Sequence, residues 1–444
     1  MVLKKMLVIA WMICVGYTVW AYQSTFMLYG NIRHDAIVTN AGLSGGIGWE
    51  LSSDSMGFTS KWELRNYAIG ERKVQFTHMA NDLPLLADFY YQLEEGYFWI
   101  DWETIYAQIG YIHLSEGVGN HYPLWIASNS SAYPAVAIEW NPVHWFALKN
   151  DFVFIRPDVA DWKTDGNAQI AKTLYYRRAA FRPWDFLEFG YEEAILFLGR
   201  SIDPAYAFAL FPYQMTQEFR NNFKEAPWRE AINDNGMQGL YLQLFFDPVH
   251  SWASVFISDL SISKIWAPND KIAWNIGTQW QIDPRNSLAI EFAGSTKYNY
   301  QRHSLGIPPY AYVRYEDQTD LPIEYNMIGY KYGPNSGVVN LEYRFHEGDY
   351  GLSAMYEFLV HGTRDPYAQW DEPGGSQPDF TYFPWLDDPV LQNNHTFMVG
   401  GYWNIHPQAS VRGSVGFTFC QNYGLEAGKT HWLPRLAISG QVRF

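Results

Sequence analysis

Two constellations in the chain could do chemistry. The first is Glu188, Glu192, Glu193 and Arg200, carboxylates and a guanidinium close together in sequence. Such groups make strong charge-assisted hydrogen bonds, so the set could orient a sugar or an ion. It could equally be a structural polar network filling the inside of a fold, and this is the simpler reading. The second is aromatic: Tyr213 and Trp228 within residues 200–235, and Tyr367, Trp370, Asp371 and Trp385 within residues 362–394. Rings beside carboxylates and amides suit carbohydrate, whose C–H faces stack on aromatics while polar groups take the hydroxyls. These are the candidate glycan-binding residues, although the same rings could simply pack the loops down. Hydrolytic chemistry has no support: there is no Gly-x-Ser-x-Gly elbow, and paired carboxylates alone do not establish it. No enzymatic activity is expected. The 12 histidines include no His-x-x-x-His pair. Asp387-Asp388, and Glu316-Asp317 with Asp320, offer oxygen ligands without EF-hand spacing. No metal and no cofactor is expected.

The 444 residues carry 31 Lys and Arg against 46 Asp and Glu, a net charge of −15. A chain this acidic is a poor partner for nucleic acid. Charged residues are 17% of the chain, below the roughly 25% of soluble domains. Aromatics reach 18%, with 20 Trp and 32 Tyr. Beyond the N-terminus no long apolar run could cross a membrane as a helix. The first 21 residues read as a cleaved signal peptide: Lys4 and Lys5, an apolar run from Met6 to Val19, and a small residue at Ala21. Cleavage would remove two lysines, taking −15 to −17. It would also remove Cys14, leaving Cys420 without an intrachain partner.

What must position these residues is a set of strands. At the C-terminus Leu436, Ile438, Gly440, Val442 and Phe444 alternate with Arg435, Ala437, Ser439, Gln441 and Arg443. Period two places the two sets on opposite faces of a strand. Val411 to Phe419, Phe397 to Ile405 and Ile272 to Ile282 alternate likewise, opposite Asn, Gln, Ser, Arg and Glu. Short turns, many with proline (Asn141-Pro142, Arg182-Pro183, Asp247-Pro248, Asp283-Pro284, His406-Pro407), join the strands at one end. Long connections (156–171, 200–235, 297–336, 362–394, 421–434) join them at the other. That asymmetry, with apolar-out strands near the 9–11 residues that cross a bilayer obliquely, is the pattern of an outer-membrane barrel. The expected fold is therefore all-β: a transmembrane antiparallel up-and-down β-barrel of about 18 strands, with 16 the alternative. Residues 22–444 form this single domain, with short turns periplasmic and long loops extracellular, in the outer membrane of a diderm bacterium. Eighteen strands require a first strand near Tyr22–Gly30, paired with the last, and a break in Gly96–Leu114 near Asp101-Trp102-Glu103. Glu188, Glu192 and Arg200 then share the lumen-facing phase, whereas Glu193 falls on the lipid phase. A charge at mid-span costs on the order of a few kcal/mol, so a β-bulge near Glu192-Glu193 is expected to turn Glu193 inward.

Two stretches resemble the Wzi-type capsule-assembly family of outer-membrane proteins. One holds His113-Leu114-Ser115-Glu116-Gly117-Val118-Gly119, then Leu124-Trp125-Ile126-Ala127-Ser128-Asn129 and Tyr133-Pro134. The other runs from Arg177 to Ile262 and includes Arg182-Pro183, Glu193-Ala194-Ile195-Leu196-Phe197-Leu198-Gly199-Arg200, Phe211-Pro212, Asp234-Asn235-Gly236-Met237-Gln238-Gly239 and Asp259-Leu260. The resemblance implies an 18-stranded barrel that binds surface polysaccharide, with an N-terminal helical bundle on the periplasmic side. The chain departs from that pattern between Tyr22 and Gly96, where at most residues 81–93 read as one short helix. Its acidic balance also makes an anionic polymer a poor ligand.

The terminal aromatic Phe444 resembles the C-terminal signature that the barrel-assembly machinery reads, so that machinery and membrane lipid are expected partners. The leading expectation for function is a barrel that binds or anchors a surface or capsular polysaccharide. The alternative is a porin-type channel for small cationic or neutral solutes, and a third possibility is a structural envelope protein or adhesin.

Overall fold

The computed structural model describes residues 23–34, 42–65, 90–127, 132–156, 171–222, 234–259, 271–300, 312–314, 323–365 and 385–444. The alternating segments form eighteen strands. The first five are β1 (Gln23–His34), β2 (Gly42–Ser52), β3 (Met56–Arg65), β4 (Tyr90–Trp102) and β5 (Ile105–Ile112). Next come β6 (Tyr133–Val143), β7 (Phe146–Arg156), β8 (Lys172–Trp184), β9 (Leu187–Leu198), β10 (Asn235–Phe246) and β11 (Val249–Asp259). The last seven are β12 (Lys271–Asp283), β13 (Asn286–Ser295), β14 (Ser336–Glu347), β15 (Tyr350–His361), β16 (Gln392–His406), β17 (Ala409–Gln421) and β18 (Thr430–Arg443). Three short α-helices are described, α1 (Pro204–Ala207), α2 (Tyr213–Asn222) and α3 (Ile323–Asn326), with one 3-10 turn at Tyr423–Leu425.

Each strand pairs antiparallel with the next, and β18 returns to β1, so the sheet closes and has no edge. The closing seam runs from Met27 opposite Arg443 to His34 opposite Leu436. Phe444 extends it: Phe26 N–H donates to the Phe444 carbonyl at 3.2 Å, and Phe444 N–H to the Phe26 carbonyl at 2.8 Å. Eighteen is thus the strand number and sixteen is set aside. The break in Gly96–Leu114 falls at Glu103 and Thr104. Of the segment read as a short helix, residues 90–93 open β4 and the rest lies outside the described residues, as does the expected signal peptide.

The two faces of the wall differ as the alternation requires. Leu28, Ile47, Ile109, Leu240, Ile276, Leu352, Val399, Val415 and Ile438 are exposed on the outside. Near the short turns Trp102, Trp140, Trp184, Phe246, Trp280 and Trp403 form an exposed aromatic belt, the girdle that barrels place at a membrane interface. The inner face packs a separate core. Its strand members, drawn from β5 through β15, include Ile112, Ala135, Val153, Leu174, Tyr176, Ala194, Leu196, Met237, Phe256, Ala273, Ala293, Val338 and Leu359. They close on residues of the β5–β6 and β13–β14 connections, which lie inside the barrel.

Candidate functional site

The lumen holds a plug built from residues 113–127. This stretch has no strand or helix period, and it folds on two glycines and on distant partners. Gly117 and Gly119 take φ of +115° and +116°, a region that a side chain strains. Around them Glu116 and Ile126 pair as a short bridge, with N–H to carbonyl distances of 2.9 and 3.1 Å. A Cβ on Gly119 would stand 2.3 Å from Asn275 Nδ2 and 2.5 Å from Glu291 Oε1. Only glycine lets the plug backbone approach the wall so closely.

The wall answers with inward polar groups from many strands. Asn275 Nδ2 donates to the carbonyls of Val118 (3.2 Å) and Tyr122 (2.8 Å) and to Glu291 Oε1 (2.8 Å). Glu291 accepts from the backbone N–H groups of Asn120 (3.2 Å) and His121 (2.9 Å). His121 Nε2 lies 2.8 Å from Glu342 Oε2. Tyr122 O–H donates to Glu357 Oε2 at 2.5 Å, Tyr332 O–H donates to the other oxygen, and Lys331 Nζ stands 3.5 Å away. Lys149 pairs with Glu116. Burying so many carboxylates would be costly if they were unpaired; here they accept several hydrogen bonds or face a cation. An aromatic stack completes the plug. Trp125 packs on Phe256 (4.7 Å between centroids), Phe256 on Tyr300 (4.6 Å), and Tyr300 and Tyr312 donate to the carbonyls of Leu124 (3.0 Å) and Trp125 (2.8 Å).

The sequence-derived polar network divides between the two sides of the wall. Glu192, 0% exposed, is inside and accepts from Trp125 Nε1 (2.8 Å) and Tyr176 O–H (2.6 Å). The Trp125 ring reaches it because the neighbouring position on β10 is Gly239, whose Cβ would meet Trp125 Cζ2 at 2.8 Å. Glu188 is inside too, accepting from Tyr241 O–H and Gln243 Nε2, each at 3.0 Å. Glu193 is not turned inward. The registers β8–β9 and β9–β10 run without a shift at Glu192 and Glu193, so the expected bulge is absent and Glu193 keeps the outward phase of Phe189. It is nevertheless only 2% exposed, because α2 folds over it from outside. Arg200 is also not in the lumen. It lies past the end of β9, over the Phe197 ring, and binds Asp203 (2.7 Å) and Asp234 (2.5 Å) at the foot of the connection that carries α1 and α2.

The aromatic candidates separate similarly. Tyr213 is buried, with its ring 4.8 Å from the Arg177 guanidinium, so it offers no face to a sugar. Trp385 lies against the outer wall over Gly337 and edge-on to Trp274 (5.0 Å), with Nε1 donating to the Ser336 carbonyl at 3.0 Å. Both pack a connection onto the wall. Trp228, Tyr367, Trp370 and Asp371 lie outside the described residues. Sequence reading missed Asn275, Glu291 and Glu357, which anchor the plug. Their only signal was a polar residue at a lumen-facing strand position, shared with many others.

Beside the plug the lumen keeps a cavity of about 500 Å³ on the inner face of β14–β18. Arg344, Arg412, His346, Tyr402 and Ser353 border it, with Gly400 leaving space on the inner side. Among the described residues no group of three or more His, Cys, Asp or Glu is arranged to hold a metal ion.

No protein-family model matches the chain, and no curated protein matches it by sequence. By fold it is similar to Wzi of Escherichia coli, an outer-membrane protein involved in group 1 capsule assembly and a carbohydrate-binding β-barrel. The TM-score is 0.57 at 11% identity, over 97% of this chain and 86% of that one. It is also similar to two Pseudomonas aeruginosa proteins. OccK3 (OpdO) gives a TM-score of 0.52 at 10% identity over 97% of each chain. OccD3 (OpdP) gives 0.51 at 8% identity, over 95% of this chain and 91% of that one. At these identities the likeness is one of fold: an eighteen-stranded antiparallel barrel with outer-membrane relatives in shape.

Proposed function

We propose that the protein is an outer-membrane barrel, closed to free diffusion by its plug, that binds or anchors a surface polysaccharide through its long connections. The plug is the observation that carries this reading. A lumen packed with Trp125, Phe256, Tyr300 and Tyr312, and tied down by carboxylates from β13, β14 and β15, is built to stay filled. The outward apolar band and its aromatic belt support a seat in a bilayer. The resemblance of residues 110–140 and 177–262 to the capsule-assembly family supports carbohydrate as the ligand class, and so does the fold likeness to Wzi, itself a carbohydrate-binding barrel. With Tyr213 and Trp385 occupied by packing, Trp228, Tyr367, Trp370 and Asp371 remain the candidates for the sugar.

The test is titration of the purified barrel with polysaccharide from its own cell surface. Binding is expected, weakened at least tenfold by Trp370→Ala; no binding to any native surface glycan overturns the reading. A channel is the second reading, and the cavity beside β14–β18 is the observation that favours it. Stable, salt-dependent, cation-selective current steps in a planar bilayer would support the channel, and electrical silence the closed binding barrel.

A further inference from the structure

The outer wall is polar where lipid should lie. Asn150, Arg177 and Glu193 stand in register across β7, β8 and β9, on the face opposite Glu192 and the plug. Arg177 Nε donates to Asn150 Oδ1 at 2.9 Å, and its NH1 stands 3.4 Å from Glu193 Oε1. Glu193 is near the middle of β9, a depth at which an uncovered ion pair would face acyl chains at a large desolvation cost. The cover is α2. The N–H of its first residue, Tyr213, donates to Glu193 Oε2 at 2.8 Å, and the Tyr213 ring lies against Arg177. A helix N-terminus has unpaired N–H groups and a partial positive charge, so the wall carboxylate caps the helix while the helix shields the carboxylate.

The far side of this cover is apolar. Leu210 is 93% exposed and Phe208 83%, and Phe211, Phe219 and Ile202 are exposed as well. This much apolar surface facing water, with Gln214 and Glu218 the only polar side chains exposed among it on the described part of α2, would be a liability. It continues the exposed apolar surface of the bare wall beside it, at Phe189 and Leu240.

We propose that the connection carrying α1 and α2 is an interfacial cover. Its apolar outer side lies in the acyl chains of the leaflet nearest the long connections, and its underside, where Tyr206 and Tyr213 pack on Tyr175, Ile195 and Phe197, closes over the Arg177–Glu193 pair. This is the behaviour of an amphipathic segment lying in a membrane interface. It rests on the barrel being embedded in a bilayer, and its test separates the two claims.

Single nitroxide labels are placed at Phe208→Cys and Leu210→Cys, at Phe189→Cys on the bare wall, and at Lys429→Cys in the β17–β18 connection. The background carries Cys14→Ala and Cys420→Ser. In proteoliposomes, collision with oxygen, which concentrates in lipid, is compared with collision with a water-soluble nickel chelate. Positions 208 and 210 are expected to behave as 189 does, favouring oxygen several-fold, while 429 favours the chelate. Chelate access at 208 and 210 with 189 still in lipid overturns the cover alone. Chelate access at all three overturns the bilayer seat as well. Exclusion of both reagents, with dipolar broadening between labels, would put a second copy of the chain on the patch and also overturn the lipid assignment.

Discussion

Gly119 is the position where a single methyl group should do most damage. Its φ of +116° strains any side chain, and the space for a Cβ is already held by Asn275 and Glu291. Gly119→Ala is expected to loosen the plug at a cost of about 1–3 kcal/mol, from overpacking and backbone strain together. Gly428, at φ +80°, is the control: nothing lies within 4 Å of its Cβ position, so Gly428→Ala carries only the backbone cost of about 1 kcal/mol. Denaturant midpoints of the two purified variants check this, and equal shifts would mean that the plug does not depend on the close approach. The same scale shows how a correct count led to a wrong inference at Glu193. Period two puts it outside, and it is outside. A bulge is required only if lipid is the sole neighbour on that side. The physical answer was a helix from a connection with no sequence mark of where it would fold, and it uses the carboxylate as its cap.

Among the elements, the strands were legible and the connections were not. Strand faces are written locally, because each alternate residue meets either the outer band or the lumen. β6 through β18 could therefore be read from period two and turn placement, whereas β1 is weakly patterned and its pairing with β18 followed only from the need to close an eighteen-stranded count. The plug is written in partners far away in sequence: Tyr122 with Glu357, His121 with Glu342, Trp125 with Glu192. No local period records such pairs. Between β13 and β14, and between β15 and β16, a clamp offers a test at this scale. Lys297 Nζ reaches Asp387 (3.1 Å) and Asp388 (2.6 Å), while Asp388 also accepts from Thr363 N–H. Burial works against the Lys297 ammonium, but its two carboxylate partners more than offset it and hold its pKa above the usual lysine value. Burial also works against ionised Asp388, but hydrogen bonds from Lys297 and Thr363 hold its carboxyl below the usual aspartate range. A raised lysine contributes stability that is complete below its unfolded pKa and lost as pH rises through the folded value; a depressed aspartate contributes stability present above its unfolded pKa and lost as pH falls through the folded value. The clamp should therefore hold between roughly pH 4 and roughly pH 10. Amide exchange at Thr363 and Leu386, corrected for the intrinsic pH dependence, is expected to be protected across that window and to lose protection on either side. Protection that persists unchanged at pH 3 would show that the ion pair is not what holds these connections together.

At the scale of the whole molecule, the barrel and its plug make opposite demands. An eighteen-stranded barrel is wide enough to leave an aqueous channel, and the inner face of β14–β18 is polar and spacious. What fills the described part of the lumen is the inward-folded connections, with 113–127 at their centre. Removing the plug should therefore convert the closed form into the channel form without unmaking the wall, because the strand ladder is continuous and closed without it. Deletion of residues 116–126, with a short Gly-Ser link in their place, is expected to turn an electrically silent protein into one that conducts in planar bilayers. It leaves Glu192, Glu291, Glu342 and Glu357 facing water without their plug donors, in a chain whose net charge goes from −15 to −14 with the loss of Glu116, so the current should prefer cations and the preference should fall as salt screens it. If the deletion variant assembles and stays silent, the remaining connections close the lumen by themselves. If the intact protein already conducts as well as the variant, the plug is no barrier and the binding reading loses the observation on which it stands.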